Sequence, residues 1–243
     1  NSNRYPCANR SKIRFSDESR SQCTHNRIKD SQQSDNKGAC APFRRLSLWD
    51  RNLELMNRKK NKARHKLLLD VCLAAYYEAE SLIPDHAQYV AKYKDSGSTI
   101  CTVLARSFAD IGDIIRGKDL YLGYDDKEKE QREKLEKNLK DIFKNIYNDV
   151  TRGKTNGAEA RYKDTDNYYE LREDWWALNR ETVWKALTCD AHGKYFRATC
   201  GDSGRPSMAK NKCRCDGKNA DQVPTYFDYV PQYLRWFEEW AED

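Results

Sequence analysis

The 243-residue sequence has no long apolar run, and it carries only four histidines, two methionines and six prolines. A membrane-spanning helix needs about 18 or more largely apolar residues, so we expect no span. Residues 1–10 lack the apolar core of a signal peptide. No GxxxxGK or GxGxxG motif occurs, which argues against a phosphate-binding loop.

Closely spaced metal ligands are also missing. The nine cysteines form no CxxC pair, and the histidines show no ligand spacing to them. Zinc sites depend on such spacing, so we expect no metal, in particular none at Cys213 and Cys215. Dispersed cysteines in a polar chain are typical of disulfides formed in an oxidising compartment. Because their number is odd, at least one cysteine is free or has its partner elsewhere.

No Ser/His/Asp or Cys/His arrangement typical of nucleophilic catalysis stands out. The aspartates of one segment alternate with bases, which lower a carboxyl pKa, whereas a catalytic carboxyl pair needs one raised pKa. We interpret them as structural ion pairs and helix caps, and expect neither catalysis nor a cofactor. A secreted helical enzyme is the hypothesis that this observation disfavours. The residues concerned are Asp110, Asp113, Asp119, Arg106, Arg116 and Lys118.

The chain is highly charged, yet it is rich in aromatic residues. Charged residues make up 34% of it, its net charge is +6, and it contains 6 Trp, 15 Tyr and 7 Phe. Its mean hydropathy is −1.02. Each buried ring removes a large apolar area from water, so a few rings can replace many aliphatic side chains. We therefore expect a folded protein with a thin core and a charged surface.

Apolar residues at three- and four-residue steps predict a mostly helical fold. We expect helical structure over 46–83 with a break at Pro84, after which Asp85 to Lys94 could resume as a helix. A further helix is expected after Ser98 as its N-cap, running through Ile115 and stopped by Gly117. The 126–150 and 168–187 stripes have matching length and are expected to pack together. A final helix begins near Tyr229. No strand signal is evident.

Three tryptophans lie at helical spacing in one segment: Trp175, Trp176 and Trp184. Such rings can form a stacking platform for sugars or bases, but burial in the core is the preferred interpretation. Arg180 lies four residues from both Trp176 and Trp184 and is expected to stack on one of them. Gly112 is expected to permit a close helix crossing.

One segment concentrates positive charge. Between Leu55 and Leu69 no acidic residue occurs, and the basic residues are Arg58, Lys59, Lys60, Lys62, Arg64 and Lys66, with Arg44 and Arg45 shortly before. We call the six residues from Arg58 to Lys66 the basic cluster. One interpretation is a solvated helix junction, and the other is a polyanion site. Nucleic acid could use the same charges, but a disulfide-linked extracellular domain meets sulfated glycans instead.

Five ordered motifs resemble one family. They are "GACAPFRRL" from Gly38, "HKLLLDVCLAAYYEAESL" from His65, "LARSFADIGDIIRGKDL" from Leu104, "WWALNRETVWKALTC" from Trp175 and "PQYLRWFEEW" from Pro231. They span nearly the whole chain. The sequence is similar to the alpha class of Duffy-binding-like domains in Plasmodium falciparum erythrocyte membrane proteins.

This resemblance implies a disulfide-stabilised helical fold with a loop-rich first subdomain at 1–60 and a helical-bundle second subdomain at 61–223. A third, mostly missing, would begin at 224–243. It also implies the disulfides Cys72–Cys189 and Cys101–Cys200. For the first subdomain we expect Cys23–Cys40, because Trp49 stands where many relatives have the likely partner of Cys7.

The resemblance also implies a function. The domain would lie outside the infected red cell, as part of a membrane protein, and bind host red-cell or endothelial receptors and glycans. Heparan sulfate and blood-group sugars are the implied glycans, and rosetting is an implied result. Other partners would be neighbouring domains of the same protein and antibodies. An antigenically variable spacer beside receptor-binding domains is the alternative.

Overall fold

The computed structural model describes residues 23, 27–29, 39–56, 63–93, 99–152, 157–162, 166–193, 197–201, 204–209 and 211–242. Within these ranges the helices are α1 (Phe43–Leu46), α2 (Arg51–Glu54), α3 (Ala63–Tyr93), α4 (Ile100–Arg116), α5 (Asp126–Thr151), α6 (Ala158–Arg161), α7 (Tyr169–Leu187) and α8 (Gln232–Glu242). Two short antiparallel strands pair, β1 (Ala198–Cys200) and β2 (Ser207–Met208). The predicted mostly helical fold is confirmed. In the described ranges, no helix has the length and apolar character needed to cross a bilayer.

Helix α4 lies at the centre of the molecule and is buried along almost its whole length. It packs against α3, α7, α8 and the 3-10 turn Phe227–Tyr229. The helix begins one residue later than predicted from Ser98, because Thr99 is the N-cap and its side chain accepts a hydrogen bond from the Thr102 amide. Gly117 ends it with a φ of 76°, a left-handed conformation that glycine adopts without steric cost.

The predicted break at Pro84 is wrong, because α3 continues through this proline to Tyr93. A proline removes one helical N–H and displaces the carbonyl four residues earlier, here that of Glu80. Both Pro84 and Glu80 are exposed. Water can therefore solvate the displaced carbonyl, while the apolar face of the helix stays packed on the core through Leu82.

Helix α7 carries the large rings of the core. Trp175, Trp176 and Trp184 are at most 3% exposed, which confirms burial and excludes a stacking platform. The α5–α7 contact that we predicted is present, with Phe143 and Trp175 edge to face at 6.2 Å between centroids. Helix α7 packs more extensively against α3 and α4.

Gly112 lets α4 and α7 approach closely, as predicted. A Cβ atom at this position would lie 2.7 Å from Cζ2 of Trp176. One turn earlier, Phe108 contacts Trp176 at 5.0 Å and Trp184 at 5.2 Å between ring centroids. The absence of a side chain at Gly112 therefore sets how deeply the Trp176 ring inserts against α4.

The described segment 39–56 packs on the helical core rather than standing apart from it. Its helix α1 contacts α4, and α2 contacts α3 and α5. Asn52 donates a hydrogen bond to the Asp70 carbonyl, and Asn138 donates to that of Glu54. The predicted subdomain limits at residues 60 and 223 stay a prediction.

The disulfides differ from those implied by the resemblance. Cys23–Cys40 is present as expected, and Cys7 lies outside the described residues. Cys101, however, is joined to Cys213 and not to Cys200, so the Cys101–Cys200 prediction is wrong. The Cys213 amide donates to the Gly193 carbonyl, which holds Cys213 beside the start of α4.

Cys200 is paired with Cys215, because the β1–β2 hairpin returns the chain toward β1. The predicted Cys72–Cys189 disulfide is absent, and both residues are thiols. Cys72 packs half-buried against the core on α3, and burial raises the pKa of its thiol to about 11. Cys189 is exposed, just beyond the C-terminus of α7.

We predict that tryptic digestion without reductant will yield separate cross-linked peptides for Cys101–Cys213 and Cys200–Cys215. Trypsin can resolve them because Arg214 lies between Cys213 and Cys215. Mass spectrometry identifies each pair. A peptide joining Cys101 to Cys200 would contradict the arrangement.

We predict that Gly112→Ala will lower the free energy of unfolding by about 1–3 kcal/mol, because the new methyl group overpacks the Trp176 contact. Urea unfolding measures the change. Gly204→Ala is the matched control, since its Cβ would meet no atom within 4 Å. Equal stability of the two variants would show that the α4–α7 approach tolerates a side chain.

Candidate functional site

The basic cluster is only partly described. Arg58, Lys59, Lys60 and Lys62 lie outside the described residues. Arg64 is exposed and Lys66 is half-buried, both in the first turn of α3. No acidic residue occurs between Leu55 and Leu69. The concentration of positive charge in this segment is therefore a property of the sequence. Whether the cluster binds anions stays a prediction.

Arg44 does not belong to this surface, which corrects our expectation. Its guanidinium is 4% exposed and donates to both carboxylate oxygens of Glu239, each at 2.9 Å. It also donates to Asp110 at 2.7 Å and to Ser107 at 3.1 Å. The physical reason is that α4 buries carboxylates, and a buried charge needs a partner of opposite sign.

Arg45 is likewise buried, with no exposed surface, and it forms an ion pair with Asp119. Its guanidinium lies 4.8 Å from the ring centroid of Tyr121. A side chain enclosed in this way cannot meet a glycan. The predicted contribution of Arg44 and Arg45 to an anion-binding surface is therefore wrong.

A network of ion pairs joins α1, α4 and α8. Arg235 of α8 donates to Asp110 at 2.8 Å and also pairs with Asp113. Asp113 pairs in turn with Arg116 at 2.8 Å. Gln232 donates to Asp110 at 3.0 Å and to Asp119 at 2.9 Å. The aspartates singled out in the sequence therefore have the structural role that we predicted.

The two central carboxyls differ in pKa. Burial alone would raise the pKa of Asp110, but Arg44, Arg235 and Arg45 together lower it well below its usual range. Burial prevails at Asp113 over Arg235 and Arg116, and raises the pKa to about 6. The expectation that neighbouring bases lower the pKa of these aspartates therefore holds for Asp110 and is wrong for Asp113. Both groups are enclosed and held by arginines, so the arrangement serves packing rather than proton transfer to a ligand.

The predicted stacking of Arg180 on Trp176 or Trp184 is wrong. It donates instead to both carboxylate oxygens of Asp228, at 2.7 and 2.8 Å, and its guanidinium lies 5.2 Å from the Tyr229 ring centroid. Asp228 also accepts from the indole N–H of Trp176 at 2.9 Å. This carboxylate thereby attaches the 3-10 turn Phe227–Tyr229 to α7.

A cleft of about 340 Å3 opens where this turn meets the C-terminal end of α4. We call it the tyrosine cleft. Arg116 and Gln232 are fixed in its wall, since Arg116 donates to the Gly112 carbonyl at 3.1 Å and Gln232 accepts from the Leu120 amide at 2.7 Å. Its more exposed lining residues are Lys118, Tyr229, Val230, Pro231 and Tyr233.

Sequence reasoning missed this cleft because its two sides are more than 100 residues apart. The available signal was a tyrosine every three or four residues over Tyr226, Tyr229 and Tyr233 in a segment otherwise predicted only as a helix start. Across the described ranges, no three His, Cys, Asp or Glu side chains converge on a point that could hold a metal ion.

Comparison with known proteins places the chain in a family. The model for the Duffy binding domain matches residues 38–235. The chain is therefore a member of the Duffy binding domain family. No match to a curated protein was found.

Solved structures narrow this family further. The chain is 42% identical to the NTS-DBL1(alpha-1) domain of Plasmodium falciparum membrane protein 1 (PfEMP1) from the varO strain, with a TM-score of 0.78. The match covers 98% of this chain and 51% of that one. The NTS-DBL1-alpha and CIDR-gamma double domain of the same strain is 39% identical, with a TM-score of 0.78, over 97% of this chain and 32% of that one.

A DBLβ domain of PfEMP1 bound to human ICAM-1 is 29% identical, with a TM-score of 0.68. That match covers 97% of this chain and 46% of the other. The chain spans about half the length of the NTS-DBL1(alpha-1) domain that it matches. These similarities identify it as a Duffy-binding-like domain of the PfEMP1 type.

We predict that Arg44→Gln will lower the free energy of unfolding by about 3–5 kcal/mol, because it removes the cation paired with buried Glu239 and one of the two arginines paired with buried Asp110. Urea unfolding measures this. Arg64→Gln is the matched control at an exposed position and should change stability by no more than about 0.5 kcal/mol. A small effect at Arg44 would mean that the network relaxes around the loss.

Proposed function

We propose that this chain is an adhesion module that binds host-cell receptors or glycans and that it performs no catalysis. The observation that carries the proposal is the similarity, over 97% of the chain, to a DBLβ domain whose structure holds human ICAM-1. Adhesion needs a stable scaffold and a variable surface rather than convergent reactive groups. The protein would act outside the infected red cell, on red-cell or endothelial surfaces.

The distribution of charge supports a binding role. The acidic groups of α4 are used inside the molecule, where Arg44, Arg116 and Arg235 neutralise them. These buried ion pairs stabilise the fold without contributions from the residues of the outer surface. The exposed residues can therefore differ between variants while the scaffold stays the same, which suits both receptor binding and recognition by antibodies.

The basic cluster remains our candidate for a sulfated glycan such as heparan sulfate. Arg64 and Lys66 are two residues apart at the start of α3, where Arg64 is exposed and Lys66 is half-buried. Sulfate groups recur along a glycan, so several side chains of one segment can engage it together. Each exposed contact contributes only about 0–1 kcal/mol, so binding needs several of them and must weaken as salt rises.

We predict that the chain will be retained on immobilised heparin at low salt. A variant with glutamate in place of Arg58, Lys59, Lys62 and Lys66 should elute at clearly lower salt, because charge reversal turns attraction into repulsion. Column elution measures the shift. The control reverses the same number of charges on an exposed α5 face, at Lys127, Lys134, Lys137 and Lys144.

Equal shifts in both quadruple variants would indicate that net charge alone governs retention. An unchanged elution position for the basic-cluster variant, with its fold intact, would place the site elsewhere. No retention of the parent chain on heparin and no binding to red cells would favour the alternative function, an antigenically variable spacer whose neighbouring domains bind.

A further inference from the structure

A cleft of about 340 Å3 lies between Lys29, the segment that follows α4 and one face of α5, and none of its described lining residues belongs to the tyrosine cleft. We call it the α5 cleft. On one side, Ile28 forms a β-bridge with Tyr121, and the Lys29 amide donates to the Leu120 carbonyl at 3.0 Å. On the other side lies the α5 face that runs from residue 132 to residue 140. Backbone hydrogen bonds therefore hold both walls.

The deepest part of the α5 cleft is aliphatic. Ile114, Leu135 and Leu139 line it and are at most 4% exposed, and Leu122 is half-buried beside them. Aliphatic side chains form no hydrogen bonds, so they favour a hydrocarbon chain over a polar ligand. The Tyr121 ring is only 2% exposed and offers no face for stacking. This lining therefore suits an alkyl chain and not a sugar or a nucleobase.

Two carboxylates in the lining already have cationic partners. Asp119 forms an ion pair with Arg45, and Glu136 forms one with Arg172 at 2.8 Å. The side chains of both arginines are fully buried. A cationic ligand would therefore gain little from either carboxylate, because its charge is already compensated.

Three lysines give the α5 cleft an excess of positive charge. Lys29, Lys137 and Lys140 line it, and none of the three takes part in an ion pair between described residues. The opposing charge in the lining comes from Glu133. Because three ammonium groups face one such carboxylate, the cleft favours an anionic ligand.

Lys29 and Arg132 are placed to meet the same anionic group, since both contact the segment after α4. The Lys29 ammonium donates to the Asp119 carbonyl at 2.5 Å, which holds it in place and leaves its other N–H groups for a ligand. The Arg132 guanidinium lies 5.6 Å from the Tyr121 ring centroid. Its terminal nitrogens bond to Asp50, but its Nε is buried and has no hydrogen-bond partner among the described residues. A carboxylate oxygen would satisfy this N–H, whose burial without a partner is costly.

The size of the α5 cleft limits the length of the chain that it can enclose. A water-sized group occupies about 30 Å3 and a methylene group is of similar size, so the volume of about 340 Å3 holds roughly eleven such groups. This corresponds to a carboxylic acid of about eight to ten carbon atoms. A longer chain would extend into water and gain nothing further from burial.

We propose that the α5 cleft binds a medium-chain fatty acid. The carboxylate lies between the Lys29 ammonium and the Nε–H of Arg132. The alkyl chain lies against Leu122, Leu135 and Leu139. This site goes beyond the adhesion function and is independent of it, because its ligand is a small anionic amphiphile and not a host-cell receptor.

The test titrates the whole 243-residue chain with decanoate, at concentrations where decanoate is monomeric, and measures binding by isothermal titration calorimetry. Octanoate, decanol and decyltrimethylammonium are the comparison ligands. We expect decanoate to bind, and octanoate, which is two methylenes shorter, to bind about tenfold more weakly. Decanol lacks the charge and should bind at least about tenfold more weakly than decanoate. The cationic amphiphile should not bind.

Three variants locate the site, and circular dichroism confirms that each is folded. Lys29→Gln should weaken decanoate binding by about tenfold, because a neutral amide replaces the ammonium. Lys29→Arg keeps the positive charge and should bind within about threefold of the parent chain. Lys134→Gln is the matched control, since Lys134 is exposed on α5 outside the described lining. It should change affinity by no more than about twofold.

Three results would overturn the site. One is absence of decanoate binding to the parent chain. Another is equal affinity for decanoate and decanol, which would indicate adsorption to exposed apolar side chains. The third is an equal effect of Lys29→Gln and Lys134→Gln, which would place bound decanoate elsewhere. The adhesion function is unaffected by all three, because binding to heparin and red cells tests it separately.

Discussion

The pairing of buried carboxylates on α4 with arginines from distant parts of the chain is the constraint on which the rest of the structure depends. Asp110 forms ion pairs with Arg44, 66 residues before it, and with Arg235, 125 residues after it. Breaking a buried pair is costly because the remaining charge has lost its water. The network thus requires the segment around α1 and helix α8 to meet on α4 in one arrangement.

The same constraint explains why the segment from Leu104 to Leu120 is so easily recognised. Its polar side chains form hydrogen bonds inside the molecule. Ser107 donates a hydrogen bond to Glu78 and accepts one from Arg44, and Asp119 accepts one from Arg45. Gly112 accommodates the Trp176 ring. In most helices a polar residue faces water and tolerates exchange, whereas here each polar side chain or missing side chain has a partner fixed by geometry.

Periodicity predicted the helices well, because α4, α5 and α7 each bury a continuous apolar stripe. It placed a break at Pro84 that the helix does not have, since local propensity takes no account of an exposed proline beside a well-packed face.

The burial of Arg44 and Arg45 was not predictable from a run of basic residues, because charge density along the chain does not show which side chains meet carboxylates. The resemblance implied Cys101–Cys200, whereas the hydrogen bond from the Cys213 amide to the Gly193 carbonyl and the β1–β2 hairpin favour the observed pairs. The tyrosine cleft needed the fold itself, since no local pattern brings Lys118 beside Tyr229.

The distance along the chain between Arg44 and Glu239, 195 residues, has a consequence for biosynthesis. At translation rates of about 5–20 residues per second, the ribosome reaches Glu239 roughly 10–40 s after it has added Arg44. During that interval Arg44 and Asp110 can exist, but the carboxylate that completes the site does not. The ion-pair network around α4 stays incomplete for that time, and it can close only when α8 has emerged.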